Sequence, residues 1–224
     1  MPSDELYSIF NSFIFSEDIK LMGKLLKRFE FFLRVKDLPG DIVEIGVFKG
    51  SGIATFSKFV DIYCHHSNKK IIGFDLFDPV NASAALNKDS IIDQNSMQLV
   101  FSKVGSDERT LQSCLNRLDN MRLEKKYILI EGDVETTIPR FINQNPGFRI
   151  SLLYIDVDIE RPTYLSLKYL WDRILPGGVI LFDEYEYHKF SESCGVDMFI
   201  KESGIRLDLK STDWIAPTCY VIKP

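Results

Sequence analysis

The sequence lacks the features that mark several protein classes. Its four cysteines are scattered and form no C-x-x-C pair, which excludes a disulfide framework or a zinc cluster and favours reduced thiols. No apolar run approaches the ~18 residues of a membrane span, and the N-terminus shows no signal peptide pattern. The net charge is −5, whereas a nucleic-acid partner requires clustered Lys and Arg. We expect a cytoplasmic protein with neither a membrane nor a nucleic acid as its partner.

The chain does contain an alternation of apolar strands and helices. Apolar side chains recur at helical spacing over residues 17–35, so residues 1–38 are predicted to be helical. Leu38-Pro39-Gly40 then interrupts the pattern. Five strands are predicted, at 41–47, 69–77, 127–133, 150–158 and 179–185, with helices between most of them. A helix over 162–175 is predicted to end at Pro176-Gly177-Gly178.

The order of these elements predicts an α/β fold. Five apolar strands joined through helices form a parallel sheet that is covered on both faces. Two further strand-like runs, 205–211 and 219–224, are too close for a crossover helix of ~12 residues, so they should form an antiparallel hairpin at one edge. We therefore predict a doubly wound, mostly parallel, seven-stranded Rossmann-like sheet. This layout is similar to that of class I methyltransferases.

The ends of the five predicted strands carry the candidate ligand-binding residues. Ligands of doubly wound sheets bind beyond the carboxyl ends of the strands, and every predicted strand here ends in an acid or in an acid with a glycine. Each acid alone could be a helix cap, and each glycine a tight turn, but the repetition favours a site. The candidate cofactor-binding residues are Glu44, Gly46, Phe48, Lys49, Gly50, Ser51, Asp75, Gly132, Asp133 and Asp156.

The chemistry of these residues favours S-adenosylmethionine over a dinucleotide. The G-x-G-x-x-G turn that binds a pyrophosphate is absent, because Phe48 stands where one glycine would be. Glu44 would repel a phosphate but could hold an ammonium group. Asp75 could accept hydrogen bonds from both ribose hydroxyls, and Asp133 could meet the adenine amino group. S-adenosylmethionine has an ammonium and a sulfonium but no phosphate, so its charge matches the charge of this site.

Four segments resemble the macrocin O-methyltransferase family. They are GDIVEIGVFKGSG (40–52), IGFDLF (72–77), EGDVETTIP (131–139) and YIDVDIERPTYLSLKYLWDRILPGGVILFDEY (154–185). The similarity covers residues 38–200. It implies an S-adenosylmethionine-dependent O-methyltransferase that acts on a hydroxyl of a small molecule such as a sugar. It also implies a methyltransferase domain at 39–224, preceded by an N-terminal helical extension at 1–38.

The same resemblance implies a divalent cation, usually Mg²⁺, held by Asp156, Asp183 and Glu184. Converging carboxylates repel one another unless a cation or a proton neutralises them, and a metal-bound hydroxyl loses its proton more easily. The family usually has two aspartates where this chain has Asp183 and Glu184. The ordinary alternative is that this acidic pair caps a loop while Asp158 pairs with Arg161.

Two residues are candidates for the general base, Asp158 and His188. Asp158 is two residues past Asp156, so both side chains point to the same side if the strand pleat continues. His188 is the rival because an imidazole has a better-suited pKa. We prefer Asp158, since it lies at the strand end. Two other functions stay open: a metal-free N- or C-methyltransferase, and a Rossmann-like binding module without catalysis.

Two segments outside the strand ends each admit two interpretations. Residues 78–122, which include Asn81 and Asn87, are polar enough to form a substrate wall and lid, or an exposed loop. The N-terminal helix contains Phe29, Phe31 and Phe32, which cannot all face one side. We expect this helix to cover the cofactor or to contact a second copy in a homodimer.

Overall fold

The structure is a computed structural model that describes residues 3–77, 86, 88–123 and 126–224. The helices described are α1 (Asp4–Ile14), α2 (Ile19–Val35), α3 (Ser51–Tyr63), α4 (Ile91–Ser102), α5 (Leu111–Asp119), α6 (Val134–Gln144), α7 (Glu160–Leu170) and α8 (Glu192–Ser203). The strands are β1 (Asp41–Ile45), β2 (Ile71–Asp75), β3 (Tyr127–Glu131), β4 (Ile150–Ile155), β5 (Ile174–Phe182), β6 (Lys210–Ser211) and β7 (Cys219–Ile222).

The strands form one sheet in the order β3-β2-β1-β4-β5-β7-β6. Strands β1 to β5 are parallel, whereas β7 runs antiparallel to β5 and β6 antiparallel to β7. The predicted fold and its edge hairpin are confirmed. Strand order reverses on either side of β1, and in such sheets the crevice at this switch point is the usual ligand site.

The fifth strand begins earlier than the sequence predicts. Pro176-Gly177-Gly178 was expected to precede it but lies inside β5, and helix α7 ends at Leu170, before a short 3-10 turn. The pairing of β4 with β5 shifts register between Ile150 and Leu152. Such an irregularity accommodates proline and glycine within a strand, which the sequence pattern reads as a turn.

All five predicted strands extend too far at their carboxyl ends. Strand β1 stops at Ile45 because Gly46 has φ +88°, and β4 stops at Ile155. Of the expected acids, Glu44 and Asp75 lie within β1 and β2. The others follow the ends of their strands: Asp133, Asp156, Asp158, Asp183 and Glu184. They still gather at one edge of the sheet, because parallel strands end side by side.

The two N-terminal helices differ in how they pack. In α2, Phe31, Phe32 and Val35 are fully buried against the sheet, and the Phe29 ring lies 5.2 Å from that of Phe59. All three phenylalanines of α2 therefore find partners within the chain. Helix α1 has no buried residue, and it exposes four large apolar side chains near its start: Leu6, Tyr7, Ile9 and Phe10.

The cysteines, the membrane-spanning potential and the 78–122 segment were also the subject of sequence predictions. All four cysteines are unpaired, as expected. Within the described ranges, no helix has the length and apolar character to cross a membrane. Asn81 and Asn87, proposed as part of a substrate wall, lie outside the described residues, whereas α4 of the same segment borders the cavity described next.

Candidate active site

A cavity of about 390 Å³ opens at the carboxyl ends of the parallel strands. Its wall contains most of the residues that the strand ends identify: Glu44, Gly46, Phe48, Ser51, Asp75, Gly132, Asp133, Asp156, Asp158, Asp183 and Glu184. Side chains up to 140 positions apart in the sequence thus meet around one space. Their individual roles toward a ligand remain predictions.

Gly46 forms the turn between β1 and α3. A Cβ atom at this position would lie 1.9 Å from the carbonyl oxygen of Asp156, and φ is +88°. Only glycine therefore permits the β1 loop to approach β4 so closely. The turn places the backbone of Val47 and Phe48 over the carboxylate of Asp75.

Asp75 holds this loop in place. Its Oδ2 accepts hydrogen bonds from the Val47 and Phe48 N–H groups, and Oδ1 accepts one from Phe77, all at 2.8 Å. Burial raises the pKa of Asp75, and these N–H donors oppose the rise. A carboxylate oxygen can accept more than one hydrogen bond. Asp75 therefore supports the loop while still offering acceptor capacity to the cavity.

Glu44 is a buried acid at the base of the cavity. A Cβ on Gly52 would stand 1.7 Å from its Oε1, so this carboxyl requires a glycine in the first turn of α3. Arg28 Nη2 lies 3.8 Å from Oε1, whereas Oε2 is buried without a hydrogen-bond partner among the described residues. Burial raises the pKa of Glu44 to about 8. An ammonium group of a ligand would satisfy the remaining oxygen and favour the ionised form.

Asp133 caps a helix and joins an ion-pair cluster. It accepts a hydrogen bond from the Glu135 N–H at the start of α6, and Arg161 Nη2 lies 3.0 Å from its Oδ2. Lys88 Nζ is 3.2 Å from the same oxygen. Burial opposes ionisation of Asp133, but these donors prevail and lower its pKa. Arg161 thus pairs with Asp133 and Glu135, rather than with Asp158 as the ordinary alternative supposed.

Asp156, Asp183 and Glu184 line the cavity beside an unexpected neighbour, Lys24 of α2. Lys24 Nζ lies 3.1 Å from Asp156 Oδ2 and 2.8 Å from Asp183 Oδ2. Burial disfavours the charged form of Lys24, but the two carboxylates outweigh burial and raise its pKa. The remaining oxygen of Asp183 accepts a hydrogen bond from the Tyr154 hydroxyl.

This arrangement does not provide the metal site that the family resemblance implies. Both carboxylate oxygens of Asp183 already accept hydrogen bonds, and the shared ammonium stands between Asp183 and Asp156. Across the described portion of the chain, no three His, Cys, Asp or Glu side chains are grouped so as to hold a metal. Of the three expected Mg²⁺ ligands, Asp156 and Asp183 are bridged by Lys24, and Glu184 lines the same cavity. Lys24 was not predicted as a site residue, because it lies on α2 and the candidate residues were those at the ends of the predicted strands.

Asp158 reaches the same cluster by a different route from the one predicted. The pleat does not continue, because β4 has ended and Asp158 has φ +65°. This conformation is uncommon for residues other than glycine, although aspartate adopts it more readily than most. Burial raises the pKa of Asp158 to about 8, with further repulsion from Asp156 and Asp183. A carboxyl that takes up a proton near neutral pH is suited to general-base chemistry.

Three predicted residues do not line the cavity. His188 is exposed, in the loop that follows β5. Lys49 pairs with Glu108 on the outside. Gly50 is buried at the start of α3 with φ +89°, where a Cβ would stand 2.6 Å from the Cys114 sulfur. His188 is therefore the weaker candidate base, and Gly50 serves the turn rather than a ligand.

The cavity also contains side chains that the strand-end argument missed. These come from α2, α4, the turn before α5, and α7, and they include Lys24, Arg28, Met97, Val100, Phe101, Arg109 and Arg161. The only available sequence indication was on α2, where Lys24 and Arg28 are four residues apart on one helix face.

Comparison with known proteins finds one family over most of the chain. A family model described as macrocin-O-methyltransferase (TylF) matches residues 22–220. A crystal structure of the calicheamicin methyltransferase CalS11 is 22% identical, with a TM-score of 0.76, and the match covers 99% of this chain and 86% of that one. No curated protein matches the sequence.

Two further solved structures are similar. The apo structure of CalS11, described as a TDP-rhamnose 3′-O-methyltransferase, is 25% identical with a TM-score of 0.68, and the match covers 99% of this chain and 86% of that one. The O-methyltransferase NovP is 16% identical with a TM-score of 0.71, and the match covers 89% of this chain and 78% of that one.

Proposed function

The chain belongs to the macrocin O-methyltransferase family and is an S-adenosylmethionine-dependent O-methyltransferase, and from this premise we propose that it methylates a sugar hydroxyl. CalS11, a similar protein, is described as acting on a TDP-linked rhamnose. The observation that carries the proposal is the cavity at the sheet's carboxyl edge, where acidic and glycine-turn residues for a donor adjoin a carboxyl suited to accept a proton. The family does not support an N- or C-directed transferase or a module without catalysis.

We place the methyl donor across the ends of β1, β2 and β3. Its amino acid part would meet Glu44 and the Gly46–Ser51 turn, where Glu44 has an unpartnered oxygen and α3 offers free N–H groups to a carboxylate. The ribose would lie at Asp75, and the adenine beside Gly132 and Asp133. The sulfonium would then point toward Asp156 and Asp158, since both line the same cavity.

The reaction follows from this placement. Methyl transfer is an in-line displacement, so the acceptor oxygen must lie about 3 Å from the methyl carbon, opposite the sulfur. The new carbon–oxygen bond forms as the carbon–sulfur bond breaks, and the sulfonium becomes a neutral thioether. The hydroxyl proton passes to the carboxylate of Asp158, which is the base we favour because His188 is exposed away from the cavity. These steps use only side chains of this chain, and Lys24 already bridges two of the three residues expected to hold a metal ion, Asp156 and Asp183.

The proposal is tested by incubating the protein with S-adenosylmethionine and a panel of hydroxylated acceptors. The panel should contain nucleotide-linked deoxysugars, glycosylated macrolides, free sugars and catechols, with mass spectrometry to locate the added methyl group. We expect transfer to a sugar oxygen in the first two classes. Transfer to catechol alone would contradict the sugar assignment. Failure to bind the donor by calorimetry would contradict its placement.

A further inference from the structure

We propose that Lys24 is the resident cation of the acidic cluster, doing for Asp156 and Asp183 what a divalent metal would do at these positions. The inference deepens the proposed function, because it concerns the charge balance of the same site. Its main test needs neither donor nor acceptor. The two proposals can therefore fail separately.

The first support is the contact itself. The Lys24 ammonium bridges one oxygen of Asp156 and one of Asp183, at 3.1 and 2.8 Å. The Asp183 side chain is only 4% exposed, so its charge needs a partner within the protein. An ammonium offers three donors and one positive charge. It therefore donates hydrogen bonds to both carboxylates and compensates one of their two negative charges.

The second support is that helix α2 is built to approach this closely. Gly23, next to Lys24, packs on the Trp214 ring so tightly that a Cβ would lie 2.0 Å from Cε2. Farther along α2, Phe31 and Phe32 anchor the helix in the core. Contacts near both ends of α2 therefore fix the position of the helix backbone that carries Lys24, which is not the case for a lysine on a mobile surface segment.

The third support is Arg28, one turn after Lys24 on the same helix. Its guanidinium lies 5.2 Å from the centre of the Tyr154 ring, and its Nη2 is 3.9 Å from Asp156 Oδ2. Lys24 Nζ lies 5.9 Å from the same ring. The helix thus brings two positive charges to Asp156 and Asp183, which follow β4 and β5, and to Glu44 of β1.

The chemical consequence concerns the acceptor. A cation beside Asp156 and Asp183 favours the developing alkoxide, and an ammonium can also donate a hydrogen bond to the acceptor oxygen. With those two acids paired, Asp158 and Glu184 are the carboxyls of the cluster without a lysine partner, and Asp158 is the one that we assign as the base. Lys24 would thus act mainly as a positioning and charge-compensating residue, and the reaction would run without a divalent ion.

The test measures Mn²⁺ binding by electron paramagnetic resonance, in which bound Mn²⁺ loses the free-ion signal. Lys24→Met keeps the apolar stem and removes the charge, and it should expose a carboxylate site of the kind that Mn²⁺ and Mg²⁺ prefer. We expect Lys24→Met to bind Mn²⁺ at least about tenfold more tightly than the unaltered protein. Adding Asp156→Asn to that variant should abolish the gain.

Two matched variants control for charge and for folding. Lys27→Met removes a lysine of the same helix with nearly the same exposure (24% against 25%), but one that pairs with Glu30 outside the cluster. It should leave Mn²⁺ binding unchanged. Lys24→Arg restores the charge and should bind Mn²⁺ as weakly as the unaltered protein. Thermal unfolding of each variant verifies that it is folded.

Three results would overturn the inference. The first is tight Mn²⁺ binding by the unaltered protein that Asp156→Asn removes. The second is an absence of Mn²⁺ binding in folded Lys24→Met as well, since the cluster would then not be a cation position at all. The third is loss of turnover in excess chelator with recovery on Mg²⁺, once an acceptor is known.

Discussion

Two lysines at opposite ends of the sheet, the partly exposed Lys24 and the buried Lys69, have opposite surroundings. At the carboxyl end, Lys24 lies between two carboxylates, and its pKa is raised although burial opposes this. At the amino end, Lys69 donates to the carbonyl oxygens of Leu38 and Gly40 and to the Ser151 hydroxyl, at 2.6 to 2.9 Å. Burial lowers the pKa of Lys69 to about 8, because these neutral acceptors do not offset the desolvation.

The difference separates a functional end from a structural one. At the amino end, Lys69 contacts neutral hydrogen-bond acceptors, and it links the loop before β1 to strand β4. The carboxyl end instead concentrates acids whose pKa values burial raises, to about 8 in Glu44 and Asp158 and about 7 in Glu184. Such clustering opposes folding when the acids ionise, and strongly perturbed carboxyls in a cavity are typical of catalytic sites.

The largest expected effect is at the carboxyl end. Asp158→Asn removes the proposed base, so turnover should fall by about 100- to 10,000-fold. The folded state raises the pKa of Asp158 and therefore binds more protons than the unfolded state, so ionisation at high pH opposes folding. The variant should then melt at a higher temperature than the unaltered protein at pH 9. Near-native turnover in the variant would exclude Asp158 as the base.

The pH dependence of kcat/KM should reflect the ionisation of Asp158. Below a pH of about 8 Asp158 is protonated and cannot act as a base, so kcat/KM should rise about tenfold per pH unit and level off above that value. In Asp158→Asn the residual activity should not show this rise. A profile that is flat between pH 6 and 8 in the unaltered protein would contradict a base with this pKa.

Loss of the Asp75 carboxylate should weaken donor binding. Asp75→Ala removes the acceptor for the Val47 and Phe48 N–H groups and for the donor ribose. Hydrogen bonds to a charged acceptor contribute roughly 1.5–3 kcal/mol each, so affinity should fall at least tenfold. Calorimetry with S-adenosylhomocysteine measures this, with Asp208→Ala as the control, since Asp208 is exposed and pairs only with Lys210 among the described residues. Equal affinities in both variants would contradict the placement.

The contrast between the two lysines also shows what the sequence could predict. The alternation of strands and helices determined the sheet and its edge hairpin. The carboxyl ends of parallel strands lie at one edge of the sheet, so the acids at the five predicted strand ends, from Glu44 to Glu184, were expected to lie close together there. Lys24 was not, because it lies 132 residues from Asp156 in the chain. Helical periodicity identifies the apolar face of α2 but does not indicate what its polar face contacts. The need for glycine at position 23 is explained only by its contact with Trp214, which the sequence does not reveal.

A smaller effect is expected at the amino end, and on stability alone. Between pH 8 and 10.5 the folded state binds fewer protons at Lys69 than the unfolded state, so stability should rise with pH through this group. The contribution is up to about 1.4 kcal/mol per pH unit. Urea unfolding at pH 8 and pH 10 should show this rise in the unaltered protein and less of it in Lys69→Met. Turnover of folded Lys69→Met should stay within about twofold, and a large loss would show that the amino end is not merely structural.

The smallest expected effect belongs to the rival base, His188. A general base must lie within hydrogen-bond reach of the proton that it removes, directly or through one water. His188 is exposed in the loop after β5 and does not line the cavity, although Phe190 of the same loop does. His188→Gln keeps a polar side chain of similar size, so folding should be unaffected and turnover should stay within about twofold, since exposed substitutions away from a site change little. The comparison with Asp158→Asn, at saturating donor and the same acceptor, is decisive because only one of the two side chains faces the acidic cluster. If His188→Gln lost as much turnover as Asp158→Asn, the loop would have to fold over the cavity during the reaction. The proton would then leave through the imidazole rather than the strand-end carboxyl.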